Sequence, residues 1–190
     1  MNKTDSYYFS GSFPQRARTF FTAKNGLPSN EVLCAALDKK GRFWAGTAKG
    51  LAYFENEGFV TLPVDAKSPN MAVTLLFCDD TGILWVGCGD KLYTCKNNKI
   101  SFVKAFGENC DIVGMAQHGP TVFLLTKEVL YRLVEGDFQV AKPVDGTGLK
   151  LTVFEEMPFV LTEERVIMGL SCKRPRWKSV CAKTSDMPNC

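Results

Sequence analysis

The stretch Gly41-Arg42-Phe43-Trp44-Ala45-Gly46 recurs further along the chain as Gly82-Ile83-Leu84-Trp85-Val86-Gly87. The same spacing relates three further pairs of positions: Asp38 and Asp79, Val32 and Val73, and Leu51 and Leu92. Agreement at several residue types in one ungapped register indicates a structural repeat. A fixed period of this length is typical of folds that stack one supersecondary unit after another.

The unit of the repeat is a small β-sheet. Short apolar or β-branched runs bounded by turn clusters predict strands at Val32–Leu37, Phe43–Thr47, Val73–Phe77, Ile83–Val86, Thr121–Leu125, Val129–Leu133 and Phe159–Leu161. A period of about 40 residues with four strands per unit predicts a β-propeller blade. Because one four-stranded sheet buries neither face alone, we expect blades to pack face to face. Trp44 and Trp85 should then lie between blades, and Gly46 and Gly87 where backbones crowd.

Two weaker copies follow, at residues 122–133 and 159–168, and Ser185–Asn189 echoes Gly26–Asn30. The predicted fold class is therefore all-β, with about four blades of four-stranded antiparallel sheet. The predicted divisions are an N-terminal segment with an outer strand (1–22), four blades (23–62, 63–105, 106–143 and 144–183) and the start of another blade (184–190).

The first blade resembles the two-component regulator propeller repeat, which reads roughly GLPSN-x-V, then D-x-x-G-x-x-W-x-G-T-x-x-G-L. The resemblance is strong over residues 25–94 and rests on strand pattern beyond them. The repeat positions that match it are Gly26, Pro28, Asp38, Gly41, Trp44 and Gly46 in the first blade, and Asp79, Gly82, Trp85 and Gly87 in the second.

The resemblance implies a seven-bladed propeller outside the cytoplasm of a bacterium, placed ahead of a membrane helix and a signalling output domain. It also implies sensing of carbohydrates or other small nutrients. We therefore expect about the first four blades of a larger ring, and a closed ring of four blades is the alternative. Residues 1–10 lack an apolar signal segment, so a natural start at Met1 would instead predict a cytoplasmic protein, and the compartment stays open.

Composition excludes several classes of partner. The net charge of +3 is too small to predict nucleic acid or an anionic membrane as a partner, and no run of 18 apolar residues predicts a membrane span. The basic cluster Lys173–Lys178 is interpreted as a hairpin with Trp177 packed between blades.

The eight cysteines include no CxxC pair, so free thiols are favoured over a disulfide framework.

Strand polarity predicts where a ligand would bind. In a blade, the link entering the first strand and the turn between the second and third strands lie at the same end. Loops on a rigid scaffold commonly carry function. The candidate ligand-binding residues at this end are Asn30, Lys49, Asn70, Asp90, Lys91, Lys127, Glu128 and Glu163, with Asn109, Asp145 and Glu164 beside them.

Catalytic motifs are not evident. The single histidine, His118, lies at a Gly-Pro turn, and the sequence has neither a phosphate-binding P-loop nor a nucleophile elbow. We therefore predict no enzyme activity, no catalytic residues, no metal and no cofactor. The favoured function is a sensor module that binds a small molecule, with remaining blades and an output domain as partners. A protein-interaction scaffold is the alternative, and a fragment of a propeller enzyme acting on polysaccharides is the second alternative.

Overall fold

The computed structural model describes residues 20–108, 110–154, 157–163, 166–170 and 176–180. The described strands form four sheets, each built from four consecutive antiparallel strands. The first sheet holds β1 (Val32–Leu37), β2 (Phe43–Thr47), β3 (Gly50–Glu55) and β4 (Gly58–Leu62). The second holds β5 (Leu75–Cys78), β6 (Leu84–Cys88), β7 (Lys91–Lys96) and β8 (Lys99–Ala105). The third holds β9 (Ile112–His118), β10 (Thr121–Thr126), β11 (Val129–Val134) and β12 (Asp137–Pro143). The fourth holds β13 (Gly148–Phe154), β14 (Met157–Thr162), β15 (Val166–Leu170) and β16 (Arg176–Val180).

This architecture confirms the predicted all-β fold. The strands predicted at Val32–Leu37 and Phe43–Thr47 are observed with those limits. The strand predicted from Val73 begins instead at Leu75. Its start is displaced because the Val73 N–H donates to the Thr47 carbonyl of the first sheet, at 2.9 Å, rather than to a strand of its own sheet.

The sheets pack face to face in chain order, with their first strands β1, β5, β9 and β13 adjacent to one another. Between the first two sheets lies an apolar layer that includes Trp44, Leu51, Leu76, Leu84 and Val86. The next layer contains Trp85, Leu92, Leu124 and Phe138, and the third contains Phe123, Leu125, Leu151 and Val160. Trp44 is 1% exposed and Trp85 is 5% exposed, so both rings lie between blades as predicted.

Gly46 and Gly87 lie where neighbouring atoms leave no room for a side chain. A Cβ on Gly46 would collide with the Cys34 sulfur and would approach the Val73 carbonyl oxygen at 2.9 Å. A Cβ on Gly87 would approach the Leu75 side chain at 2.9 Å. The predicted crowding is therefore observed, and each glycine lies opposite the crowding residue of the adjacent strand, Gly46 opposite Cys34 and Gly87 opposite Leu75.

Some predicted features fall on residues outside those described. They include residues 1–19 and 184–190, Lys173–Pro175, Asn109 and Glu164. Residues 20–22 of the N-terminal segment form no strand here, and Thr22 instead caps a short 3-10 turn at Ala23–Asn25. The described cysteines Cys34, Cys78, Cys88, Cys95 and Cys110 are free thiols. No helix among the described residues is long and apolar enough to cross a membrane.

Candidate functional site

The ends of the sheets form two opposite surfaces. The entry face comprises the links that precede β1, β5, β9 and β13, the turns between the second and third strands of the first three sheets, and Glu163 after β14. The hairpin face comprises the turns that follow the first and third strands of the first three sheets. Because Val32 pairs with Thr47, and Thr47 with Gly50, the link at residues 26–31 and the turn at residues 48–49 share one end of the first sheet.

The entry face is held together by backbone hydrogen bonds between blades. The Val73 N–H donates to Thr47 O at 2.9 Å, the Ile112 N–H to Gly89 O at 2.8 Å, and the Gly148 N–H to Lys127 O at 2.7 Å. Each bond joins the residues that enter one sheet to the turn between the second and third strands of the preceding sheet, or to the residue beside that turn. Three bonds of one kind therefore fix the positions of successive turns along this face.

The predicted ligand-binding residues lie on this face, but they differ in their surroundings. Asn30 has a structural role, because its Oδ1 accepts a 2.7 Å hydrogen bond from the Ala23 N–H. Lys127 forms an ion pair with Asp111 at 2.5 Å. The other exposed members make no side-chain hydrogen bond to described residues, and they are Lys49, Asn70, Lys91, Glu128 and Glu163. Asp90 is half-buried, and its backbone carbonyl accepts from the Phe106 N–H at 3.0 Å.

The hairpin face is organised by Asp38 and Asp79. One oxygen of Asp38 accepts the backbone N–H groups of Lys40 and Arg42, and the other accepts the Trp44 indole N–H at 3.0 Å and the Arg42 Nε–H at 2.9 Å. Burial alone would raise the pKa of Asp38, but these hydrogen bonds prevail and lower the pKa to about 2. The carboxylate is therefore held as an anion that organises the turn.

A pocket of about 250 Å³ opens on the hairpin face between the first two sheets. Its charged lining residues are Asp38, Lys39, Lys40, Arg42 and Lys96, and its apolar floor includes Trp44, Leu84 and Cys95. The sequence does not predict this pocket, because strand polarity favours the opposite face and the pocket walls come from two different blades. The adjacent Lys39 and Lys40 of the first hairpin are visible in the sequence as a small positive cluster. Their approach to Lys96 depends on packing between blades.

Arg42 connects the walls of this pocket. Its Nη1 donates to Asn98 Oδ1 at 2.8 Å, and the Asn98 amide donates to the Tyr53 hydroxyl at 3.2 Å. The guanidinium also lies over the rings of Trp44 and Tyr53, 5.1 and 5.2 Å from their centroids. Arg42 is therefore fixed by contacts from both sheets.

The raised pKa values of two cysteine thiols reflect their burial between the sheets. Burial raises the pKa of the Cys34 thiol to about 11, and burial together with the neighbouring Cys34 raises the pKa of Cys88 to about 12. His118 ends β9 beside the turn at Gly119, and no described side chain forms a hydrogen bond with its ring. Among the described residues, no cluster of three or more histidine, cysteine, aspartate or glutamate side chains could hold a metal ion.

Comparison with known proteins identifies the first repeat. Residues 26–49 match the family model of the two component regulator propeller. They run from the entry motif through β1 and β2 to the turn that follows. No curated protein sequence is significantly similar to this chain.

Solved structures share the fold. The extracellular domain of BT4673 from B. thetaiotaomicron, described as a one component or hybrid two component system, superposes with a TM-score of 0.69 at 22% identity, over 78% of this chain and 22% of that one. The extracellular domain of BT3049 from the same organism gives a TM-score of 0.67 at 16% identity, over 82% and 23%. Virginiamycin B lyase from Staphylococcus aureus also gives 0.67, at 13% identity, over 83% and 58%. This chain thus spans less than a quarter of the length of the two extracellular domains, and it has the fold of part of a propeller.

Proposed function

We propose that this chain, whose first blade is a two-component regulator propeller repeat, is a ligand-sensing module of a bacterial signal-transduction protein. The ligand is a carbohydrate or another small nutrient, and the module binds without catalysing a reaction. The family match and the similarity to extracellular domains of signalling systems support this proposal. At these identities the structural similarity establishes the fold alone, so the choice of ligand rests on the family resemblance.

The observation that carries the proposal is the construction of the entry face. Backbone hydrogen bonds between blades fix the turns, while Lys49, Lys91 and Glu128 remain exposed and use no side-chain atom in holding the described fold together. Polar side chains on a rigid frame can be directed at a ligand with little loss of backbone conformational entropy on binding. Residues needed for folding would not be available in this way.

Thermal unfolding in the presence of sugars tests the proposal. A ligand at a hundred times its Kd stabilises the folded state by about 2.7 kcal/mol, which raises the Tm of a chain of this size by roughly 5–10 °C. The panel should contain glucose, xylose, maltotriose, xylotriose and arabinotriose. We expect at least one of these sugars to raise the Tm, and Lys49→Ala/Lys91→Ala to reduce that shift.

The matched control is Arg132→Ala/Lys150→Ala, which removes the same charge from exposed positions on β11 and β13. It should retain the full shift. A shift that falls equally in both double variants would contradict binding at the entry face. No shift with any sugar of the panel would contradict a carbohydrate ligand.

We further propose that other propeller blades cover the outward face of the first sheet. Leu37 and Phe43 are cross-strand partners on this face and are 63% and 41% exposed. Their counterparts one repeat later, Cys78 and Leu84, lie in the layer between the first two sheets. The outward face thus has the residue pattern of a surface that packs on a preceding blade. Exposed apolar side chains also keep a protein-interaction scaffold as the second candidate function.

A further inference from the structure

The pocket between the first two blades has an excess of positive charge. Four cationic side chains line it, those of Lys39, Lys40, Arg42 and Lys96, together with one carboxylate, that of Asp38. Asp38 already accepts hydrogen bonds on both oxygens, from Lys40, Arg42 and Trp44. The pocket therefore presents more donors than its own carboxylate can satisfy.

These four cationic side chains differ in whether they have a partner within the protein. Lys39 pairs with Asp80 at 3.2 Å, and Arg42 pairs with Asp38 at 2.9 Å. The ammonium groups of Lys40 and Lys96 have no hydrogen-bond or ion-pair partner among the described residues, and both side chains are exposed at the mouth of the pocket. Two ammonium groups are thus available to a ligand without breaking a contact of the fold.

The floor of the pocket is rigid and partly apolar. Leu84 and Cys95 are 2% and 4% exposed, and Trp44 is held by its hydrogen bond to Asp38. Arg42 is fixed by Asp38, Asn98 and two aromatic rings, so it supplies a positive field that needs no rearrangement. A volume of about 250 Å³ suits a small ligand, near the lower limit of typical binding pockets.

From this arrangement we infer that the pocket binds a small organic anion, about the size of a monosaccharide, through a carboxylate, sulfate or phosphate group. The ammonium groups of Lys40 and Lys96 contact the oxyanion, and Arg42 stabilises it from the wall. The apolar floor accommodates the rest of the molecule. This site lies on the hairpin face, at the opposite end of the sheets from the site of the proposed function, and it stands independently of that proposal.

Glucuronate and glucose provide a matched pair of probes, because they have similar size and shape and differ by one carboxylate. Isothermal titration calorimetry of the chain at low ionic strength should detect glucuronate, with binding at least tenfold tighter than that of glucose. Lys40→Ala/Lys96→Ala should weaken glucuronate binding about tenfold or more. Inorganic sulfate and inorganic phosphate, as competitors, distinguish a ligand held chiefly by its oxyanion from one that also needs the sugar ring.

The Arg132→Ala/Lys150→Ala variant controls for a general loss of positive charge and should bind glucuronate as the unaltered chain does. Unaltered thermal unfolding of Lys40→Ala/Lys96→Ala would show that the pocket itself persists. Equal weakening in both double variants would overturn the proposal in favour of nonspecific attraction. Equal affinity for glucuronate and glucose, or binding of neither, would overturn it as well.

Discussion

Trp85 donates its indole N–H to Asp79 at 2.8 Å, and Trp44, its counterpart in the preceding blade, donates in the same way to Asp38 at 3.0 Å. In both blades the other carboxylate oxygen accepts backbone N–H groups of the hairpin that joins the two residues. The carboxylate therefore closes the turn and fixes the ring that packs against the next blade. This contact gives the D-x-x-G-x-x-W spacing of the repeat a physical reason.

Replacing Asp79 by alanine should strongly destabilise the fold. The side chain is buried, and its loss leaves the indole N–H of Trp85 and the backbone N–H groups of Thr81 and Ile83 without their acceptor. Leaving the buried indole donor unsatisfied costs about 1–3 kcal/mol, and the two partly buried backbone donors add less because water can reach them. We therefore expect the free energy of unfolding to fall by about 2–4 kcal/mol. Urea unfolding followed by tryptophan fluorescence would measure this.

The adjacent Asp80 is the matched control. Its side chain is 70% exposed and pairs with Lys39 on the surface, so Asp80→Ala should change the free energy of unfolding by no more than about 0.5 kcal/mol. Asp79→Asn, which keeps one acceptor oxygen, should fall between the two variants. Similar losses for Asp79→Ala and Asp80→Ala would contradict the role given to the buried carboxylate.

The blades could be predicted from the sequence because their characteristic residues lie close together along the chain. The hairpin from Asp38 to Trp44 and its copy from Asp79 to Trp85 are local units, so repeat spacing and strand pattern were sufficient to place them. The start of β5 was misplaced because Val73 donates across a blade boundary, which no local pattern records. The pocket on the hairpin face was missed for the same reason, since Arg42 and Asn98 meet from different blades.

The pKa of Asp38 predicts a specific acid sensitivity. Burial acts to raise the pKa, and the hydrogen bonds from Trp44, Arg42 and Lys40 outweigh it, so the folded value is about 2. An unfolded aspartate has a pKa of about 3.9. The lowered folded pKa means that Asp38 contributes its stability in full above about pH 4–5, and that this contribution is lost as the pH falls toward about 2.

Asp38→Asn isolates this effect. The free energy of unfolding of the unaltered chain should fall more steeply between about pH 4.5 and about pH 2.5 than that of the variant. Urea midpoints at several pH values in this window would reveal the difference. Parallel pH profiles for the two proteins would mean that Asp38 titrates normally in the folded state.

Two glycines of the repeat should respond to substitution for different reasons. Gly41 has a φ of +76° and nothing within 4 Å of the position that a Cβ would occupy, so Gly41→Ala should cost about 1–2 kcal/mol through backbone strain alone. Gly46 lies against the Cys34 sulfur and the Val73 carbonyl oxygen. Gly46→Ala must move the first two sheets apart, and we expect it to cost more than Gly41→Ala in the same urea experiment.

Removing the sulfur tests this cause directly. Cys34→Ala in the Gly46→Ala background should recover part of the lost stability, because it relieves the side-chain contact while the Val73 carbonyl remains. Cys34→Ala alone should destabilise the chain, since this thiol is half-buried between the sheets and donates to Val73 O at 3.4 Å. Strictly additive effects of the two substitutions would show that crowding at Gly46 is not the source of its intolerance.

The outward face of the first sheet predicts how the chain behaves in solution. Leu37 and Phe43 are exposed there, while the residues one repeat later, Cys78 and Leu84, pack between sheets. An apolar sheet face of this kind favours association, so we expect the weight-average mass from light scattering to rise with concentration.

Leu37→Lys/Phe43→Lys should reduce that rise. Phe102→Lys/Val140→Lys, at sites 58% and 63% exposed on β8 and β12, should leave it largely unchanged. A small-angle scattering envelope of a closed ring at monomer mass would contradict the prediction, because the outward face would then already be covered within one chain.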